Sequence, residues 1–256
     1  MNLSKSKIKF FNSLKIKKYQ QQNSLFLAEG NKIVGEALQS DYDIQTIIAS
    51  KEWFINHKNS NTSAELIEAN ELELAKISSL QTPNHVLAIM KIPEFKIDKQ
   101  AIISSLSLVL DDIQDPGNMG TILRIADWFG IKNVICSMNT VDVYNPKVIQ
   151  STMGAFLRVK THYINLDSLL HGYANLPDFP IFGTYPEGKN IFIEKLSNTG
   201  FIIMGNESKG ISQSIEPFIR QRLMIPGYPE NKQGAESLNV SIAAGIICAE
   251  FRRRVK

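Results

Sequence analysis

The sequence predicts an α/β protein of two units, on three observations. Short apolar runs bounded by turn residues alternate with stretches of helical spacing along most of the 256 residues. The stretch Leu106 to Cys136, LSLVLDDIQDPGNMGTILRIADWFGIKNVIC, reads as strand, loop, helix and strand of one parallel sheet. A charged segment with a proline and no apolar period, KIPEFKIDKQ at 91–100, interrupts the alternation. The division that follows is a smaller α/β unit at 1–95, a linker at 96–104 and a larger unit at 105–256.

The first unit opens on basic helical sequence at 4–21. Lys5, Lys7, Lys9, Lys15, Lys17 and Lys18 stand there with no acidic residue among the first twenty. A short strand, Ser24 to Ala28, precedes Glu29-Gly30, which opens a helix carrying Ile33, Val34, Ala37 and Leu38. Strands follow at 44–49, 64–69 and 86–91, with helices at 52–56 and 71–78. No catalytic constellation appears in this unit, so it is expected to bind rather than to react.

In the second unit, the apolar run Leu106 to Leu110 turns polar at Asp111-Asp112, as a buried strand does at its carboxyl end. Asp115-Pro116-Gly117-Asn118 is a turn signal, and Gly120 leaves the backbone uncovered. Ile122, Leu123, Ile125, Ala126 and Phe129 recur at helical spacing until Gly130 ends the helix. Ligands of such sheets sit outside the carboxyl ends of the strands, where this loop lies. Arg124, read as one turn into the helix, is either a surface arginine or one that awaits an anion, because cations are mildly unfavourable at a helix start. Further strands are expected near 133–136, 159–163, 180–184, 200–204 and 221–225. Helices are expected near 119–129, 145–152, 167–172, 212–219 and 238–252.

Composition narrows the function classes. A net charge of +3 is small, but the basic first twenty residues and the tail Arg252-Arg253-Arg254-Val255-Lys256 suit a polyanion such as RNA. The two cysteines, Cys136 and Cys248, lie in apolar runs and read as buried thiols, which fits a reducing cytoplasm. No apolar segment reaches membrane-spanning length, and His57, His85, His162 and His171 show no ligand spacing, so neither membrane nor metal is expected.

Two further motifs follow strands. Phe201 to Met204 leads into Gly205-Asn206-Glu207-Ser208-Lys209-Gly210-Ile211-Ser212, whose glycines have P-loop spacing. Ile211 stands where that loop needs its lysine, which excludes a nucleoside triphosphatase, and no GxGxxG suggests a dinucleotide. The loop either holds a small ligand by its backbone, with Glu207 as its one carboxylate, or merely joins strand to helix. Leu223 to Gly227 ends another strand, and Ser237-Leu238-Asn239-Val240-Ser241 begins an apolar helix with Ser237 as a natural N-cap. Capping and core packing account for that stretch as readily as a site does, and Ala243, Ala244 and Gly245 permit close helix or subunit packing.

Taken together, Asn118-x-Gly120-x-x-x-Arg124, Gly205-x-Glu207-x-x-Gly210, and Ile225-Pro226 with Ser237 to Ser241 resemble the three motifs of the SpoU (TrmH-type) RNA methyltransferases of the SPOUT superfamily, which make 2'-O-methylribose. The resemblance covers about 105–252. Residues 1–95, with Phe26-Leu27-Ala28-Glu29-Gly30 before a helix, are similar to that family's L30e-like substrate-binding domain. It implies a C-terminal SPOUT-type parallel sheet with a trefoil knot, holding S-adenosylmethionine through backbone groups of Gly205, Ile225 and Leu238 with a contact near Thr184. It further implies that Asn118, Arg124, Glu207, Asn239 and Ser241 form the reacting end. The implied partners are tRNA or rRNA and a second copy of the chain, each site taking its arginine from the other subunit. The segment from Ile225 to Ser237 is longer than the family's usual form, with Gly227-Tyr228-Pro229 where Met-x-Gly is common, which bears on the rim of the cofactor pocket. A non-catalytic RNA-binding protein of the same fold and a base methyltransferase are the alternatives.

Overall fold

The computed structural model describes residues 3–57, 62–228 and 237–253. The chain divides into two compact units: Met1–Glu94 with Asp142–Leu157, and Phe95–Val141 with Arg158–Lys256.

The first unit begins with α1 (Lys5–Ser13) and α2 (Lys17–Asn23), two helices where the sequence suggested one basic stretch. Then come β1 (Leu25–Glu29), α3 (Asn31–Ala37), β2 (Ile44–Ala49), α4 (Lys51–Asn56), β3 (Glu65–Glu68), α5 (Glu71–Ile77) and β4 (Val86–Lys91). The sheet order is β1-β4-β2-β3, antiparallel except for the parallel pair β2–β3. The apolar runs of β1, β2 and β4 are buried almost throughout, as strands covered on both faces require. Leu3, Phe11, Leu14, Leu74 and Ile77 cover one face against Leu27, Ile48 and Leu87. Asn70 and Glu73 form a capping box at the start of α5, and the Glu73 carboxylate also accepts the Leu3 amide. Those backbone donors hold the Glu73 carboxyl below its ordinary range.

The second unit contains α6 (Lys99–Ile103), β5 (Leu106–Leu110), α7 (Pro116–Trp128) and β6 (Asn133–Cys136). The next helix, α8 (Pro146–Thr152), belongs to the first unit. The chain then continues through β7 (Lys160–Tyr163), α9 (Leu166–Ala174), β8 (Ile181–Asn190), β9 (Gly200–Met204), β10 (Gln221–Met224) and α10 (Val240–Arg253). All six strands are parallel in the order β10-β8-β9-β5-β6-β7, so their carboxyl ends share one edge. Tyr173, Phe179 and Phe201 meet at ring separations of 5.0–5.1 Å in the core. On the other face Phe182 packs edge-on against Phe251 of α10 at 5.1 Å.

Four expectations are corrected. The supposed linker at 96–104 holds α6, with Ile97, Ile102 and Ile103 packed into the core of the second unit. The helix expected near 212–219 contracts to one 3-10 turn at Glu216–Phe218, where Pro217 has no amide to continue a ladder. Helix α7 starts at Pro116, because Asp115 caps it by accepting the Asn118 amide at 2.7 Å and proline is at home in a first helical turn. Last, 142–157 leaves the 105–256 unit. Tyr144 and Phe156 pack on Phe26 at 4.5 and 5.9 Å, Gln20 donates to the Tyr144 carbonyl at 2.8 Å, and Gln150 donates to the Glu29 carbonyl at 2.7 Å. The expected trefoil knot turns on the segment joining β10 to α10, of which 229–236, including Pro229, lie outside the described residues, as does the end of the basic tail at 254–256.

Phe156 is 1% exposed, with Tyr42 against it edge-on at 5.7 Å. Phe156→Ala is expected to destabilise the first unit by about 3–5 kcal/mol, read as an earlier chemical-denaturation transition.

Candidate functional site

The carboxyl edge of the parallel sheet carries a cleft of about 1120 Å³. Asp112, Gln114, Asp115 and Asn118 line it from the end of β5 and the first turn of α7, and Asn139 from the loop after β6. Asn206, Glu207, Ser208 and Lys209 line it from the loop after β9, and Asn239 from just before α10.

Side-chain hydrogen bonds join the three motifs in one directional chain. Ser241 donates through both its amide (2.9 Å) and its hydroxyl (2.6 Å) to the Asn239 side-chain oxygen. Asn239 Nδ2 donates to Asn118 Oδ1 at 2.9 Å, and Asn118 Nδ2 donates to Glu207 Oε1 at 2.7 Å. The chain ends on a carboxylate, which makes its last bond charge-assisted. Asn118, Glu207, Asn239 and Ser241 are thus brought together.

Arg124 is not among them. It is the ninth residue of α7, too far from the helix start for the unfavourable end to act on it. At 3.6 residues per turn it lies about 120° round the helix from Asn118. Its side chain is exposed, lies outside the cleft lining and has no hydrogen-bond or ion-pair partner among the described residues. Within the chain, Glu207 is bonded to Asn118 and not to Arg124.

The expected cofactor residues follow the strands at this same edge. Thr184 lies in β8 and donates its hydroxyl to the Ile203 carbonyl at 3.1 Å; Gly205 follows β9, Ile225 follows β10, and Leu238 precedes α10 with 49% of its surface exposed. Among the described residues, Gly205, Ile225 and Leu238 make no hydrogen bond with their backbone groups. A ligand held by main-chain donors and acceptors fits that set. The glycine itself has a nearer cause: a Cβ on Gly205 would lie 2.2–2.4 Å from the backbone of Gly210 and Ile211. Only glycine lets the 205–210 loop close on itself.

Several site residues escaped the sequence reading. Asn206 pins the glycine loop, exchanging backbone bonds with Gly210, accepting the Ser208 and Lys209 amides, and donating to the Asp112 carbonyl at 2.8 Å. Buried Asp111 accepts the Ser212 amide at 2.7 Å. The polarity switch at Asp111-Asp112 marked this strand end; nothing marked Asn206, Gln114 or Asn139. Both cysteines are fully buried, and burial pushes the Cys248 thiol up to about 12, so it is neutral near pH 7. Among the described residues no cluster of His, Cys, Asp and Glu is arranged to hold a metal, and no helix is long and apolar enough to cross a membrane.

A parallel sheet with this glycine loop and this polar cleft at its carboxyl edge defines an RNA methyltransferase of the SPOUT type. The chain belongs to the SpoU rRNA methylase family, whose model matches residues 105–249. Residues 5–88 match a second model, the MRM3-like substrate binding domain. A Bacillus subtilis 23S rRNA (guanosine(2553)-2'-O)-methyltransferase is 28% identical over 96% of both chains. A TrmH-family protein from Porphyromonas gingivalis is 34% identical over 99% of both chains, with a TM-score of 0.89. An S-adenosylmethionine-bound rRNA methyltransferase from Sinorhizobium meliloti is 25% identical, covering 100% of this chain and 98% of that one, with a TM-score of 0.86.

Asn118→Ala cuts the chain of bonds between Asn239 and Glu207. With about 1 kcal/mol lost per hydrogen bond, the amides of Ser241 and Ile242, which the Asn239 side chain accepts, are expected to exchange hydrogen roughly fivefold faster. Exchange mass spectrometry over the start of α10 reads this directly.

Proposed function

We propose that the protein transfers a methyl group from S-adenosylmethionine to a ribose 2'-hydroxyl of rRNA, working in the cytoplasm as a homodimer with shared sites. The observation that carries this reading is the chain Ser241–Asn239–Asn118–Glu207, which links three sequence motifs at one sheet edge.

S-adenosylmethionine, when bound, supplies a methyl group on a positively charged sulfur. Gly205, Ile225 and Leu238 would hold it by their main chains, with Thr184 at the same edge, and the expected knot would frame them. Orientation of the ribose oxygen in line with that methyl group supplies roughly 7–11 kcal/mol of barrier lowering. The amide chain holds the cleft in one arrangement, so little reorganisation accompanies the reaction. Arginine stays protonated near neutral pH, so Arg124 acts as a cation, orienting a phosphate and stabilising the developing alkoxide, while the 2'-hydroxyl proton passes to water.

The cleft lining supports the shared site. Among the described residues it contributes three carboxylates, Asp112, Asp115 and Glu207, against one ammonium, Lys209. An RNA phosphate needs more positive charge than that, and Arg124 of the same chain faces elsewhere. A second copy, related by two-fold symmetry, brings its own Arg124 to the cleft. Arg124→Ala is expected to lower turnover by at least roughly 10²-fold with cofactor affinity retained. Gly205→Val is expected to spoil the cofactor loop. Mixed heterodimers of the two regain one working site; heterodimers as inactive as either parent place Arg124 within its own subunit.

The first unit supports RNA docking. Among the described residues Lys5, Lys9 and Lys18 are exposed and unpaired, and Phe10 and Tyr19 are exposed beside them. Cations interleaved with aromatic rings suit a nucleic-acid strand. Replacing the three lysines by glutamate is expected to weaken rRNA binding and to make the fall of log K with log[salt] shallower, by about 0.7–0.9 for each phosphate that the variant leaves without its lysine.

The function itself is tested with rRNA from a strain lacking the gene, incubated with protein and S-adenosylmethionine and digested to nucleosides. A 2'-O-methylated nucleoside by mass spectrometry is expected. A base-methylated product, or S-adenosylmethionine neither bound nor consumed, overturns the reading in favour of a base methyltransferase or a non-catalytic RNA-binding protein.

A further inference from the structure

One wall of the cleft belongs to none of the three motifs. The loop after β6, residues 137–141, is fixed to the end of β5 from both sides. The Ser137 amide donates to the Leu110 carbonyl at 2.9 Å, and the Asp112 amide donates to Ser137 Oγ at 2.9 Å. Thr140 Oγ1 donates to the Leu110 carbonyl at 3.2 Å, and the Val141 amide to the Ile113 carbonyl at 2.8 Å. Gln114 Nε2 donates to the Asn139 carbonyl at 2.6 Å. Five bonds leave this short loop little freedom.

Two side chains at its tip nevertheless stay open to solvent. Met138 is 63% exposed. Asn139 lines the cleft, and its side-chain amide has no hydrogen-bond partner among the described residues, since Gln114 engages only its backbone carbonyl. A firmly held loop cannot fold back to bury either group. It presents Asn139, at no further ordering cost, to whatever enters the cleft, with exposed Met138 next to it in the chain.

Their chemistry is that of a nucleobase partner. A primary amide carries a donor and an acceptor side by side, the pattern that pairs with a base edge. An apolar, polarisable thioether next to it suits the flat face of an unstacked base. The position agrees as well. β6 lies on one side of β5, whereas β9, β8 and β10, which lead into Gly205, Thr184 and Ile225, lie on the other. Cofactor and base reader then flank the chain Asn239–Asn118–Glu207, where the ribose would lie.

We propose that Asn139, with Met138 beside it, reads the base of the nucleotide whose ribose is methylated. The proposal rests on the methyl-transfer reading above.

The test uses the full-length protein and transcripts of the rRNA segment around the methylated position, that position first being mapped by mass spectrometry. Four transcripts differ only in carrying A, C, G or U there. Values of kcat/KM are measured for wild type, Asn139→Ala, Asn139→Asp and Met138→Ala, with S-adenosylmethionine affinity by calorimetry. Wild type is expected to prefer one base. Asn139→Ala is expected to reduce that preference about tenfold, in the range for removal of one paired base interaction, with cofactor affinity unchanged. Asn139→Asp, which trades the donor for a second acceptor, is expected to change the order of preference among the four, and Met138→Ala to raise KM for all four transcripts alike. An active wild type with no base preference, or a preference that survives Asn139→Ala intact, overturns base reading alone. A wild type that binds no S-adenosylmethionine and methylates no transcript removes the methyl-transfer reading, and this proposal with it.

Discussion

The side-chain amide of Asn118 accepts a hydrogen bond from Asn239 and donates one to Glu207, and through these bonds a helix, a glycine loop and the start of the last helix are held to one another. An amide suits this position because it offers a donor and an acceptor at once; a carboxylate there would face Glu207 with like charge, and a hydroxyl is too short to reach both partners. The bonds run one way, from Ser241 towards the carboxylate, so each member's orientation is set by the next. Around this line the backbone has been closed by other means. Glycine at 205 permits the loop to fold on itself, and Asn206 and Asp111 tie it to β5 and to Ser212.

Much of the scaffold was legible because burial on both faces of a sheet forces near-continuous apolar strands. Leu106 to Leu110, Phe201 to Met204 and Val86 to Met90 read directly as such. Helix limits were less legible where one set of letters serves two purposes. Asp115-Pro116-Gly117-Asn118 reads as a turn, yet aspartate as cap and proline as first helical residue make it the opening of α7, which moved Arg124 from one turn into the helix to its third turn. The resemblance named Asn118, Glu207, Asn239 and Ser241 together, but no periodicity pairs residues 89 and 121 positions apart. Asn139 left no trace in the sequence, because its side chain's lack of a partner among the described residues is visible only once the loop is folded.

The division of the chain was the least legible feature. A contiguous reading put everything after 105 in one unit, and the strand–helix–strand grammar of a parallel sheet supported it. That grammar constrains the ends of a crossover, not where its helix goes. The crossover between β6 and β7 carries Tyr144 and Phe156, and the aromatic surface of Phe26 and Tyr42 claims them. Ordinary apolar letters do not say which of two cores will take them.

The return of 142–157 to the first unit has a consequence for how the protein is made. Synthesis is vectorial, and the first 94 residues are complete well before the segment that finishes their core exists. At about 5–20 residues per second, roughly 3 to 13 seconds separate the completion of β4 from the arrival of Phe156. During that interval the ring of Phe26 has no Tyr144 or Phe156 against it, and the nascent unit shows an aromatic face to the surrounding solution.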